Sequence, residues 1–295
     1  MNILPIEQQV AAIAALTEGC SIRATERLTG IHRDTIMRLS VRVGQGCAEL
    51  HDAMFRGLNV GRLELDEIWS FVHKKQRRLL PGDPADFGDQ YTFIGMDASR
   101  KAIISYRTGK RDRFNTCAFA MDLRERILNQ PEISSDAFSA YRDAIDNAFG
   151  IDCHYGQITK VFAGDAGQEA SRRYAPGHVV GVQRAVLTGN PTRISTSLVE
   201  RQNLTVRMQQ RRFTRLTNGF SKKLENHAAA VAMYVAHYNL CRVHEALRIT
   251  PAMAIGVADH IWTISELVDA ALADTLPKPA GRQAGRFRVI DGGLS

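Results

Sequence analysis

The order of hydrophobic patterns after residue 60 constrains the fold of this chain most strongly. Residues 62–72 alternate apolar and polar side chains, as a half-buried strand does, and 91–98 and 101–109 predict two more strands joined by a short turn. The elements expected next are a helix over 114–128, a strand over 132–136, a helix over 138–149, a strand over 158–164, an irregular stretch over 165–195, a helix from Ser197 and an Ala-rich helix over 225–244. Three hairpin-linked strands followed by alternating elements predict an α/β fold, a mixed sheet with helices on its faces.

The N-terminal residues predict a small all-α domain. Helical spacing of apolar residues indicates helices over 6–17, 22–28 and 33–42, with a tight turn at Gly30 between the second and third. This pattern is typical of a helix-turn-helix, in which the last helix enters the DNA major groove. An ordinary three-helix packing module is the alternative.

Within this helix-turn-helix we expect a buried and an exposed side. The residues expected in its small core are Leu28, Ile31, Ile36 and Leu39. The residues expected to contact DNA are Arg33, Thr35 and Arg38. Basic side chains outnumber acidic ones across this segment, which favours DNA over plain packing.

Glycines at 44, 46, 57 and 61 predict a linker over 44–60. The expected domains are therefore a helix-turn-helix domain over 1–50, a core over 58–250, and a helical extension with a flexible basic tail over 251–295.

Positive charge is concentrated in one segment. The chain carries a net charge of +7, and residues 197–223 hold seven basic residues with Glu200 as their one acid. This segment could simply be a solvated basic face of the protein. However, so dense a run of positive charge favours phosphate binding, and we therefore expect double-stranded DNA as a partner. The arginines expected to contact it are Arg207, Arg211, Arg212 and Arg215.

Three carboxylates fall at related places in this element order. Asp66 lies inside the first strand, Asp136 ends the fourth, and Glu200 opens the basic helix. Since the first and fourth strands can be neighbours, the three groups can converge at one sheet edge. Carboxylates suit Mg²⁺, or Mn²⁺ in its place, and two such ions can clamp the oxygens of a phosphoryl displacement. Considered individually, each acid has a structural alternative. Asp136 could cap the next helix, and the helix dipole could stabilise the charge of Glu200.

The sequence resembles the DDE-type transposases of bacterial insertion sequences, most closely those of the IS1 family. The resemblance is carried by LDEIWSFV (65–72), SSDAFSAY (134–141), VERQNLTVRMQQRRFTRLTNGFSKKLENH (199–227) and HYNLCRVHEALRITPAMAIGVADHIW (237–262). Together with the helix-turn-helix it covers most of residues 20–262.

The resemblance implies a ribonuclease-H-like core whose Asp66, Asp136 and Glu200 form a catalytic, metal-binding triad. It implies a transposase that binds element ends and catalyses metal-dependent DNA cleavage and strand transfer, working as a homodimer or larger assembly on DNA. Asn203, one turn after Glu200, would support the metal or the phosphate. By the helical period, Arg207 and Arg211 would continue that face along the DNA backbone.

Two other functions stay open: a non-catalytic helix-turn-helix regulator or degenerate transposase copy, and a nuclease that cuts without joining. The five scattered cysteines form no C-x-x-C pair, which argues against disulfides and a zinc ribbon. No apolar run approaches the roughly 20 residues that span a membrane, and the N-terminus shows no signal-peptide pattern. We expect a cytoplasmic, nucleoid-associated protein without membrane contact.

Overall fold

A six-stranded mixed sheet organises the computed structural model, which describes residues 4–150, 152–162, 179–214 and 218–273. Its strands are β1 (Arg62–Val72), β2 (Gly88–Asp97), β3 (Ile103–Gly109), β4 (Glu132–Asp136), β5 (His154–Phe162) and β6 (Val179–Thr188). They lie in the order β3-β2-β1-β4-β5-β6, with β1, β4 and β5 parallel and the other pairs antiparallel. The predicted mixed sheet is confirmed, and it is compatible with a ribonuclease-H-like fold.

Helices cover both faces of this sheet. They are α1 (Ile6–Thr17), α2 (Ile22–Thr29), α3 (Arg33–Met54), α4 (Arg113–Arg126), α5 (Ala140–Phe149), α6 (Ser197–Gln209), α7 (Leu224–Ala236), α8 (Pro251–Ala254) and α9 (Ile264–Leu272). One apolar cluster joins the α4 and α5 face of the sheet to the N-terminal helices, and a second lies between the other face and α6 and α7. None of the helices in the described ranges is long and apolar enough to cross a bilayer.

Strand β1 shows how alternation divides the two faces. Leu63 and Leu65 belong to the first cluster, whereas Ile68 belongs to the second. Because side chains alternate along a strand, Asp66 starts on the same side as Ile68, the side that α6 covers.

Strand β6 was missed, because residues 165–195 were expected to be irregular. It pairs antiparallel with β5 along the sheet edge, and most of its side chains are exposed, including Val180 and Val186. An edge strand exposed on both faces lacks the alternation that identifies a half-buried strand. The last residues of the strand expected over 158–164 fall outside the described residues.

The linker expected over 44–60 is wrong in its first half, because α3 continues to Met54. Gly44 and Gly46 lie where other helices come close. A Cβ added to Gly44 would lie 2.3 Å from the carbonyl oxygen of Ala229 in α7, and one on Gly46 would lie 1.7 Å from that of Ala271 in α9. These glycines therefore permit close helix packing inside α3 instead of ending the helix.

The tight turn expected at Gly30 lies between α2 and α3. Gly30 has φ +71°, and at the start of α2 the Ser21 hydroxyl accepts a hydrogen bond from the Ala24 N–H. The expected core is partly wrong: Ile36 is buried, but Leu28 is 71% exposed. The N-terminal helices share one apolar cluster with the sheet, so the fold alone does not establish a separate helix-turn-helix domain.

The Ala-rich helix expected over 225–244 ends earlier than predicted, at Ala236. After α6 the chain forms a 3₁₀ turn at Arg211–Phe213, and α7 passes into a π-helical turn at His237–Cys241. In that turn the buried Asn239 amide donates to the Ile103 carbonyl at 2.9 Å and accepts the Ile103 N–H at 3.0 Å. This side chain therefore fixes the turn to β3. The basic tail over 274–295 lies outside the described residues.

We expect Gly46→Ala to destabilise the protein, although alanine favours helix by about 1 kcal/mol. The added methyl group would meet the Ala271 backbone, and overpacking of this kind costs about 1–3 kcal/mol. Urea unfolding followed by circular dichroism would measure the loss. Gln45→Ala, exposed on the same helix, serves as the control. A Gly46→Ala variant as stable as that control would contradict the packing account.

Candidate functional site

A crevice opens in the sheet where β1 and β4 separate. Their parallel pairing ends at Leu65 and Ser135, while β1 continues for seven more residues to Val72. On one side of β1 lies β2, to which the chain continues, and on its other side lies β4. The gap between β1 and β4 is therefore a switch point of the topology, and α/β sheets commonly bind ligands at such points. A cleft of about 590 Å³ lies here, and its charged lining residues are Asp66, Arg111, Asp136, Lys160 and Glu200.

Asp66 lies at the centre of this cleft. Its Oδ2 accepts a hydrogen bond of 2.8 Å from the Asn203 amide in α6. Burial, and then the charges of Asp136 and Glu200, raise the pKa of Asp66 from 3.8 to about 6. The protein's own hydrogen bonds and charges therefore do not offset the cost of burying the ionised carboxylate of Asp66 in this strand.

Asp136 ends β4 and is joined to Glu67 of β1 by one arginine. Arg111, in the loop after β3, donates from Nε to Glu67 and from Nη2 to Asp136, both at 3.2 Å. Its guanidinium lies 3.9 Å from the centre of the Phe138 ring. The second oxygen of Asp136 accepts the Phe138 N–H at 3.0 Å. Asp136 thus begins the turn into α5 and also faces the cleft.

Glu200 lines the other side of the cleft. Its carboxylate forms an ion pair with Lys160 of β5 and accepts a hydrogen bond of 2.7 Å from the Thr196 hydroxyl. Its side chain is 36% exposed, as is that of Asp136. The two cationic side chains Lys160 and Arg111 therefore each neutralise one flank of the carboxylate group.

Glu64 of β1 holds the helix that carries Glu200. Its Oε2 accepts the Leu198 N–H at 2.7 Å and the Val199 N–H at 3.1 Å. These are orphan donors at the first turn of α6, and a carboxylate there is also favoured by the helix dipole. Burial raises the pKa of Glu64, while these two hydrogen bonds oppose the rise. The start of α6 is thereby tied to the central strand.

The structure brings Asp66, Asp136 and Glu200 into one cleft, with Asn203 bonded to Asp66. The sequence reading did not identify the roles of Glu67, Arg111, Lys160 and Glu64. Glu67 directly follows Asp66, and that adjacency was its one visible signal. Lys160 could have been placed by strand pairing, because Asp136 pairs with Ile158 two residues earlier on β5.

The donor set fits a hard divalent cation. Oxygens of Asp66, Glu67 and Asp136 lie within 4.8 Å of one another, a spacing that small side-chain movements would bring within reach of one ion. Among the described residues Glu200 is not a member of that group. One carboxylate oxygen there, Oε1 of Glu67, is buried without a hydrogen-bond partner.

The arginines predicted to contact DNA differ in their exposure to solvent. Arg211 is exposed and Arg207 is half-buried beyond Glu200. Arg212 is half-buried. Its Nη1 donates to the Ser221 hydroxyl at 2.7 Å, and burial of the guanidinium lowers its pKa to about 10. Its expected DNA contact is therefore not supported by its position. Arg215 lies outside the described residues.

On α3, Arg33 and Arg38 are exposed and Thr35 is half-buried. The Arg33 backbone N–H donates to Glu26 of α2 at 3.0 Å, which connects the two helices at their turn.

Comparisons with known proteins add little. No protein-family model and no curated protein matches the sequence. Among solved structures, the Mos1 transposase paired-end complex with left transposon end matches at 11% identity and a TM-score of 0.19. The match covers 50% of this chain and 58% of that one. A likeness of this size leaves the function to be inferred from the site itself.

We expect Glu64→Ala to destabilise the protein by about 2 kcal/mol or more, because it leaves two N–H groups at the start of α6 without their acceptor. Glu64→Gln retains an acceptor oxygen and should lose less. Urea unfolding of both variants measures the difference. Equal, small losses would show that Glu64 does not hold α6.

Ionisation of Asp66 and Glu67 should cost the metal-free protein stability as pH rises. Burial and Asp136 also raise the pKa of Glu67, from 4.5 to about 7. The folded state therefore binds protons more tightly than the unfolded state at these two groups, and their contribution to the unfolding free energy falls between about pH 4 and about pH 7. The buried His51 and His227 act in the opposite direction, because burial lowers their pKa to about 3. Urea unfolding in EDTA should therefore show an Asp66→Asn/Glu67→Gln double variant gaining stability relative to the unaltered protein as pH rises across this range, and a constant difference would contradict the assignment.

Proposed function

We propose that this chain is a DNA transposase of an insertion sequence, which cuts and joins DNA by metal-dependent phosphoryl transfer. The observation that carries the proposal is the meeting of Asp66, Asp136 and Glu200, from three separate elements, in one cleft at a switch point of the sheet. The narrowest form of the proposal, membership of the IS1 family, depends on the sequence motifs alone.

In this proposal Asp66, Asp136 and Glu200 would hold Mg²⁺ or Mn²⁺, and the bound ion would lower the pKa of the attacking hydroxyl and neutralise charge on the phosphate. Asn203 orients Asp66 through its 2.8 Å hydrogen bond. Lys160 and Arg111 are paired with carboxylates that would hold the cation, and both side chains would be placed to contact phosphate oxygens in the cleft.

Contacts to the DNA backbone would come from basic residues near the cleft and on the N-terminal helices. Arg207 and Arg211 follow Glu200 along the chain and would track the phosphates. Arg33, Thr35 and Arg38 at the start of α3 would read or position the element end. We propose a homodimer or larger assembly, because two DNA ends must be handled together.

A non-catalytic DNA-binding regulator is the second candidate. The observation in its favour is that Glu200 and Asp136 each have a basic partner, so their charges could serve stability alone. A nuclease of the same core would cut without joining.

A strand-transfer assay separates these functions. Labelled DNA from both flanks of the gene and a plasmid target would be incubated with the protein and Mg²⁺ or Mn²⁺. We expect joined products that EDTA abolishes, and a loss of at least about 100-fold in Asp66→Asn, Asp136→Asn and Glu200→Gln, since each removes metal binding worth several kcal/mol in the transition state.

Asp143→Asn, an exposed carboxylate variant on α5, is the control and should retain activity. DNA binding without metal-dependent chemistry in the unaltered protein would favour the regulator. Cleavage without joining would favour the nuclease.

A further inference from the structure

Glu67 is a buried carboxylate that the proposed triad does not explain. Its side chain is 3% exposed. One oxygen accepts the Arg111 Nε–H at 3.2 Å, while the other is buried without a hydrogen-bond partner among the described residues. The Tyr141 hydroxyl lies close enough to lower the pKa of Glu67, but neither this hydroxyl nor the free Glu67 oxygen has a formed hydrogen bond in the part of the chain that the structure describes. An unsatisfied buried carboxylate oxygen is costly, so this oxygen can still accept a further ligand.

The position of Glu67 indicates where that ligand would lie. Asp66 and Glu67 start on opposite faces of β1, but β1 has separated from β4 at this point, so the Glu67 carboxylate can reach the crevice. Its oxygen lies within 4.8 Å of oxygens of both Asp66 and Asp136. Two oxygens bound to one Mg²⁺ or Mn²⁺ lie at most about 4.2–4.5 Å apart, so small side-chain movements would bring all three to one ion.

Arg111 supplies a positive charge at the same place. It connects Glu67 with Asp136 through two hydrogen bonds and lies against the Phe138 ring, with its side chain 34% exposed. A guanidinium that joins two of the three carboxylates provides part of the positive charge that a divalent cation would provide, and its exposed side lets it leave towards solvent or a phosphate.

We propose that Glu67 completes, with Asp66 and Asp136, one divalent-cation site, and that Arg111 is the side chain the cation displaces. This inference rests on the proposed metal-dependent function and refines it. Glu200, paired with Lys160 across the cleft, then serves a second ion position that shares Asp66. Glu67 becomes a metal ligand in addition to the three expected from the sequence.

The competing explanation is that Glu67 only holds Arg111 in place. A double-mutant cycle distinguishes the two, because a ligand matters whether or not Arg111 is present. Calorimetric titration with Mn²⁺ alone, on the full chain at mildly alkaline pH, would measure affinity for the unaltered protein, Glu67→Gln, Arg111→Gln and the double variant.

We expect Glu67→Gln to weaken Mn²⁺ binding at least about 10-fold, and by at least that factor when Arg111→Gln is also present. Arg111→Gln alone should tighten binding, since a competing cation is removed. Glu67→Asp keeps the charge but shortens the side chain, and should also bind more weakly. Glu132→Gln, at the far end of β4, is the matched control and should leave Mn²⁺ affinity unchanged.

The inference fails if Glu67→Gln weakens binding only while Arg111 is present, or if Glu67→Asp binds Mn²⁺ as the unaltered protein does. Asp66→Asn and Asp136→Asn keep the two failures apart. If they lose Mn²⁺ and Glu67→Gln does not, the proposed function stands without this fourth ligand. If they too bind normally, the metal-dependent function fails with it. Thermal unfolding in EDTA verifies that each variant is folded.

Discussion

The burial of neighbouring carboxylates at the crevice between β1 and β4, together with their mutual repulsion, is the constraint on which the rest of the site depends. Burial and two neighbouring acids raise the pKa of Asp66, and burial with Asp136 raises that of Glu67. The surrounding groups each stabilise part of this negative charge. The Asn203 amide donates a hydrogen bond to Asp66, and Arg111 forms ion pairs with both Glu67 and Asp136. The cluster is still not fully compensated, which is the electrostatic condition under which a divalent cation binds.

The scaffold keeps these groups close despite their repulsion. Glu64 fixes the start of α6 to β1, which sets the distance of Glu200 and Asn203 from the crevice. Behind α6, α7 packs against α3, where the glycine at 44 allows the two backbones to approach. Apolar clusters on both faces of the sheet complete the support, because they hold in place the strands and helices that carry the acidic side chains.

Much of this could be read from the sequence, and the reasons are physical. Strand β1 was found because it alternates apolar and polar residues, and Asp66 and Asp136 follow from the pairing of β1 with β4. The glycines of α3 were misread, because a glycine that permits close packing looks the same as one that ends a helix. Glu67 was not identified because alternation assigns it to the opposite face, and only the separation of the strands lets it reach the crevice.

The central claim is that this crevice binds a divalent cation, and anomalous diffraction from a crystal soaked in Mn²⁺ tests it most directly. The account predicts an anomalous peak about 2.1–2.4 Å from carboxylate oxygens of Asp66 and Asp136, with Arg111 no longer joining Glu67 to Asp136. A fully soaked crystal that shows no peak in the crevice, with Arg111 and Lys160 still paired to the carboxylates, would contradict it.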